Sequence, residues 1–195
     1  MADQGIKSRP VYSPIGVDST GARHLLLVDG PEAPPDALHT ELGAFDEVWT
    51  VTRDPRSPSS PFMARIAKGA RHAFRSTALM FDALDQRLAR ETMGFRLYAI
   101  GSETFLADVQ AKGAAAGLSR SEMALAHSGS LTRRVYCVHC RTLTDGVVDS
   151  VFACSGCGAS LFVRDHFSSR LAAFMGVQVD AEAPGETPAP ERLYP

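Results

Sequence analysis

Four cysteines, at positions 137, 140, 154 and 157, are the residues of this sequence most plainly suited to chemistry, and none occurs before them. They form two Cys-x-x-Cys pairs separated by 13 residues. Each pair can fold into a tight turn that presents two sulfurs on one side. Two such knuckles at the tips of two hairpins close a tetrahedron around Zn²⁺. Four thiolates leave no open coordination position for water or substrate, so the zinc expected at Cys137, Cys140, Cys154 and Cys157 is structural. It would supply folding free energy to a module too small to hold a core of its own. Tetrathiolate iron or an iron–sulfur cluster is the competing chemistry, and would make the chain an electron carrier. The 13-residue interval favours a zinc-ribbon hairpin. With four sulfurs available, His139 and His166 read as surface or neighbouring residues and not as ligands.

The elements that must position these sulfurs are legible nearby. Arg134-Val135-Tyr136 leads into Cys137, Asp145-Gly146 marks a turn, and Val147 to Phe152 leads to Cys154. Gly158 relieves the second knuckle, and Leu161-Phe162-Val163 returns as a strand, giving a ribbon over residues 131–164. A helix is expected over residues 165–179, capped by Asp165 or Ser168. Phe167, Leu171 and Phe174 would form its apolar face and Gly176 its end. Arg164, Asp165, His166 and Arg170 would then rim a face available to a partner subunit. Residues 180–195 are acidic and proline-rich, and are expected to form an extended tail. That tail ends in Leu193-Tyr194-Pro195, and an arm or tail of this kind can order against a neighbour.

Upstream, residues 1–21 read as an irregular lead-in arm and residues 22–130 as an α/β domain. His24–Asp29 is a continuous apolar run of the buried parallel-strand kind. Further strands are expected at 47–51, 95–100 and 123–126, and helices at 35–42, over most of 62–91, and at 103–116 with Ser102 as N-cap. A proline-rich loop is expected at 53–61. This alternation predicts a small, parallel, doubly wound sheet with the zinc ribbon appended.

The chain has 195 residues, with 20 basic and 22 acidic side chains and a net charge of −2. That balance gives no general drive toward nucleic acid, and residues 131–170 carry only five arginines against three aspartates. Aliphatic runs reach four residues, far short of the roughly 20 that a membrane span needs. The first residues lack the basic-then-apolar design of a secretory signal, so a cytoplasmic location is expected.

Two resemblances add to this reading. Arg96-Leu97-Tyr98-Ala99-Ile100-Gly101-Ser102-Glu103-Thr104-Phe105-Leu106, followed by Ala115-Ala116-Gly117-Leu118, resembles the nucleotide-binding half of the ferredoxin–NADP reductase family. That implies a Rossmann-like, reductase-type sheet, with Gly101 and Ser102 at the cofactor-facing turn. Ile100 and Ser102 stand where that family has cysteine and proline. Gly30-Pro31-Glu32 lacks the Gly-x-Gly phosphate turn and brings an acid where a pyrophosphate would approach. Arg9-Pro10-Val11-Tyr12-Ser13 is one residue too long for the family's flavin motif.

The second resemblance covers the whole chain. Val135-Tyr136-Cys137-Val138-His139-Cys140, then Cys154-Ser155-Gly156-Cys157-Gly158, then the run from Leu161 to Val177, is similar to the A subunit family of bacterial dimethylamine monooxygenase. The resemblance implies a multi-subunit system that oxidises dimethylamine to methylamine and formaldehyde with NADPH and O₂. Its implied partners are a haem-bearing subunit and a reductase subunit carrying FMN and a [2Fe–2S] cluster. This chain itself has no haem-attachment motif, no flavin motif and no catalytic constellation that one sequence establishes, so catalysis is expected on the partners. The alternative class is a zinc-ribbon adaptor that binds protein or nucleic acid with no redox role.

Overall fold

The computed structural model describes residues 8–30, 37–38, 43–52 and 65–194. The chain divides into two compact units, residues 12–129 and residues 1–11 with 130–195.

In the first unit the described strands are β1 (Arg23–Val28), β2 (Phe45–Val51), β3 (Ala67–Phe74), β4 (Phe95–Gly101) and β5 (Met123–His127). The helices are α1 (Thr77–Leu88) and α2 (Glu103–Ala115). The strands form one sheet in the order β3-β2-β1-β4-β5, and every pairing is parallel. β1 is central because its Leu25-Leu26-Leu27-Val28 run is buried on both faces. Alternation sends Leu26 and Val28 to one side with Val48, Tyr98 and Ile100, beneath Ile15, Leu38 and Ile66. Leu25 and Leu27 face the other side with Trp49, Leu97 and Ala99. There α1 covers them through Met80, Leu84 and Leu88, and α2 through Phe105, Leu106 and Val109.

The expected long helix over 62–91 is corrected by β3, which interrupts it and leaves residues 65–66 and Thr77–Leu88 helical within the described part of that span. β3 is an edge strand with six of its eight residues exposed. It therefore lacks the inward apolar residues that announce a strand. Ser76, whose hydroxyl accepts from the Leu79 N–H, starts α1 two residues after β3 ends. Of the helix expected at 35–42, only Ala37 and Leu38 lie within the described residues, and Leu38 pairs with Ile15. The loop expected at 53–61 lies wholly outside them. The lead-in is irregular but not loose: Ile15 is fully buried, and the Asp18 carboxylate pairs with Arg96 at 2.5 Å.

The second unit holds β6 (Arg133–Cys137), β7 (Leu143–Val147), β8 (Val151–Ala153), β9 (Ser160–Ser168) and β10 (Ala173–Gln178). Their order is β7-β6-β10-β9-β8; β10 runs parallel to β6 and the other pairs are antiparallel. The helix expected at 165–179 is therefore wrong. Those residues complete β9, turn, and return as β10 between β9 and β6. Phe167 and Phe174, whose spacing suggested a helical face, lie opposite each other across this hairpin with ring centroids 5.1 Å apart. Ser8 pairs with His166 at the start of the unit. At the other end, residues 181–190 are exposed, but Ser150 donates its N–H to the Glu191 carbonyl. Leu193 and Tyr194 both donate to the Val148 carbonyl, and Tyr194 is buried. The end of the tail is thus docked on this unit. Among the described residues no helix is long and apolar enough to cross a membrane.

Candidate metal centre

β6 delivers Cys137 as its last residue, and the chain reverses through Val138 and His139 to Cys140 before β7. β8 delivers Cys154 one residue past its end, and the second knuckle reaches Cys157 before β9. The two turns share one backbone design. Arg141 donates its N–H to the Cys137 carbonyl at 2.9 Å, and Gly158 donates to that of Cys154 at 2.9 Å. The residue after each second cysteine has a left-handed φ, 67° at Arg141 and 75° at Gly158. Glycine meets that requirement at little steric cost in the second knuckle, whereas arginine adopts it in the first. The Cys137 N–H donates to the Thr142 carbonyl and the Cys154 N–H to that of Ala159, closing both knuckles alike.

The four Sγ atoms lie within 4.8 Å of one another, and all four thiols are free of disulfides. Cys137 and Cys157 are 3.9 Å apart, and Cys140 and Cys154 are 3.6 Å apart. A tetrahedron with Zn–S of ~2.3 Å has edges of about 3.8 Å. The sulfurs therefore stand at tetrathiolate spacing, well beyond a disulfide bond of ~2.05 Å. Cys137 and Cys154 are buried and Cys157 is exposed, so the cluster opens to solvent on one side.

The electrostatics fit a cation. Hydrogen bonds from the Thr142 side chain and backbone hold the Cys140 thiol down at about 6. At Cys157 the Ala159 N–H favours the thiolate, but burial and the three neighbouring sulfurs outweigh it and push the group up to about 11. Cys140 thus releases its proton readily, while Cys157 resists ionisation beside the other sulfurs. A dication removes that resistance.

Two supporting residues escaped the sequence reading. Gly156 approaches Thr142 so closely that a Cβ there would sit 2.1 Å from the Thr142 Oγ1 and 3.1 Å from the Cys140 Sγ. Thr142 also lies 3.2 Å from that sulfur. The glycine within a Cys-Ser-Gly-Cys knuckle was the only available signal.

The remaining expected site residues are not gathered into one site. Gly101 ends β4 and Ser102 caps α2, accepting from the Phe105 N–H and donating to Asp29 Oδ2 at 2.9 Å. An aspartate carboxylate therefore stands beside the turn where the reductase resemblance implied a cofactor. Arg164, Asp165, His166 and Arg170 do not rim a helix face. The first three alternate along β9 and Arg170 lies in the turn after it, so neighbours point to opposite sides. Asp165 is an internal anchor, paired with Arg133 at 2.9 Å and with Arg9.

Residues 134–177 match the family described as dimethylamine monooxygenase subunit DmmA-like, C-terminal domain. Residues 4–123 match its N-terminal domain. The chain is 34% identical over 164 residues to a protein of Ectopseudomonas mendocina (strain ymp) described as the heme-dependent oxidative N-demethylase delta subunit. That match covers 84% of this chain and 83% of the relative. No solved structure matches the chain.

Proposed function

Since the chain belongs to the dimethylamine monooxygenase subunit DmmA-like family, we propose that it is the delta-type accessory subunit of a heme-dependent oxidative N-demethylase. The observation that carries this reading is its similarity to the delta subunit along most of both chains. In this reading Cys137, Cys140, Cys154 and Cys157 hold one structural Zn²⁺, supported by sulfur spacings of 3.6 and 3.9 Å. Zinc supplies cross-linking here. It ties the β6–β7 turn to the β8–β9 turn, and with all four positions filled by thiolate it offers no site to a substrate. Four free thiols are in keeping with a reducing cytoplasm.

The finer parts of the proposal are dimethylamine as the amine, NADPH as reductant, and haem, FMN and a [2Fe–2S] cluster on partner subunits. Cysteine supply supports this division of labour. All four cysteines of the chain converge on one cluster, leaving none to ligate a second. We further infer that the sheet of the first unit is Rossmann-like, supported by its all-parallel β3-β2-β1-β4-β5 order. At the carboxyl ends of β1 and β4, where such folds bind ligands, Asp29 and Ser102 hydrogen-bond each other. A carboxylate there disfavours a phosphate, so the unit acts as a scaffold.

The test is co-expression of the tagged chain with the haem and reductase subunits. Haem absorbance should follow the tag, and amine-dependent formaldehyde release should fall when the chain is omitted. Metal analysis of the chain alone should give about one zinc per chain with no visible absorption. Stoichiometric iron would overturn the metal assignment. A chain that never retains the haem subunit would instead be an adaptor outside this system.

A further inference from the structure

The first unit carries a charge asymmetry that the composition conceals. From Arg65 to Phe81 there is no acidic residue, while Arg65, Lys68, Arg71 and Arg75 add four positive charges to a chain whose net charge is −2. This segment contains β3, the exposed edge of the sheet. An edge strand presents unpaired backbone donors and acceptors, and basic residues along it repel a second basic edge.

Beside that edge runs a groove of about 490 Å³ between β3 and α1. Trp49 and Phe74 wall it, with ring centroids 5.2 Å apart, and His72 sits edge-on to Trp49. α1 covers β1 and β4 through Met80, Leu84 and Leu88, and turns Ala83, Gln86 and Arg87 toward the groove, with Arg90 just beyond. Among the described residues, Glu47 is engaged by Arg87, Asp46 by Lys68, and Glu91 by Arg23 and Arg87. Arg75 and Arg90 are exposed and form no ion pair among the described residues. Among the described residues, cations therefore outnumber carboxylates around an aromatic-walled groove at the edge of the sheet.

We propose that this groove and the β3 edge are the docking surface for an acidic segment of a partner subunit. The inference rests on the accessory-subunit reading and goes beyond it by naming the face and the chemistry of its occupant. Charge complementarity makes the choice. An acidic segment gains the excess cations, and its apolar side chains cover the half-buried Phe74, beside the buried Trp49.

Arg71→Glu, Arg75→Glu and Arg90→Glu combined should weaken retention of the haem and reductase subunits by about tenfold or more at physiological salt. The wild-type complex should loosen steeply as salt rises. Arg120→Glu, the same charge change beyond the opposite side of the sheet, should retain them like wild type. The chain has one tryptophan, so fluorotryptophan labelling gives a single ¹⁹F resonance at Trp49. That resonance should shift when unlabelled partner subunits bind, and should not shift with the triple variant. A folded triple variant that retains the partners like wild type, with the Trp49 resonance unmoved in the wild-type complex, overturns the surface assignment while leaving the accessory reading intact. If wild type retains no partner, both fall. Self-association abolished by the triple variant would make the occupant a second copy, and nucleic acid co-purifying through these arginines would make it a polyanion. Either overturns the acidic-subunit assignment.

Discussion

The Arg133 guanidinium lies 3.8 Å from the centroid of the Tyr194 ring, so the penultimate residue of the chain is stacked on the first residue of β6. Phe174 lies on the same guanidinium at 3.9 Å, and Asp165 takes its charge at 2.9 Å. Arg133 is only 5% exposed. It tolerates burial because two aromatic faces and a carboxylate replace its water.

Tyr194→Ala should therefore destabilise the second unit by about 2 kcal/mol, the scale of a desolvated cation–π contact. Tyr194→Phe should cost much less, since the ring face remains. Truncation after Val179 should cost at least as much as Tyr194→Ala, because the hydrogen bonds of Glu191, Leu193 and Tyr194 go too. Urea unfolding of the zinc-loaded protein measures all three. If truncation leaves the midpoint unchanged, the tail is a bystander.

Gly156→Ala should impair the metal centre without touching a ligand. The added Cβ meets the Thr142 side chain and pushes on the Cys140 sulfur. A loss of about 10- to 100-fold in zinc affinity is expected, the range seen when residues supporting metal ligands are changed. Competition with a chromophoric chelator reads it. Thr142→Ala in the same chain should restore part of the loss by removing the nearest clashing atom.

Asp165 links stability to pH with a definite sign. Burial pushes its carboxyl up, but hydrogen bonds and charges from Arg9 and Arg133 outweigh this and hold it below the ordinary value. Its contribution is therefore complete above the ordinary carboxylate value of about 3.9. It is lost as pH falls through the lower folded value. At neutral pH Asp165→Asn should cost about 3 kcal/mol, because Arg133 is left buried without its counter-charge. The gap between variant and wild type should stay constant down to about pH 5 and shrink below about pH 4. Thermal melts of both proteins across that range decide the matter.

Ser102→Ala should cost about 1 kcal/mol, the usual price of losing an N-cap. Ser102 also donates to Asp29, so the change frees a carboxylate at the end of β1. Amide exchange should rise first at Phe105, whose N–H loses its acceptor.

The sequence by itself determined the elements whose signals are local. Two Cys-x-x-Cys pairs announce a tetrathiolate centre because the knuckle needs only two close sulfurs and a residue able to turn. Leu25 to Val28 announces a strand buried on both faces, and Ser102 announces the start of α2, because burial run and cap are each written in a few adjacent residues. Tertiary structure alone decided the rest. Phe167, Leu171 and Phe174 fit a helical stripe and fit a hairpin equally well. What chose the hairpin is the place β10 takes between its sequence neighbour β9 and the distant strand β6, a pairing no local pattern encodes. β3 gave no strand pattern because an edge takes half its partners from one neighbour and exposes the remainder to water. Arg133, Asp165, Phe174 and Tyr194 carry no motif at all. They meet because non-local strand pairing brings together residues up to 61 positions apart, and no local pattern encodes such a contact.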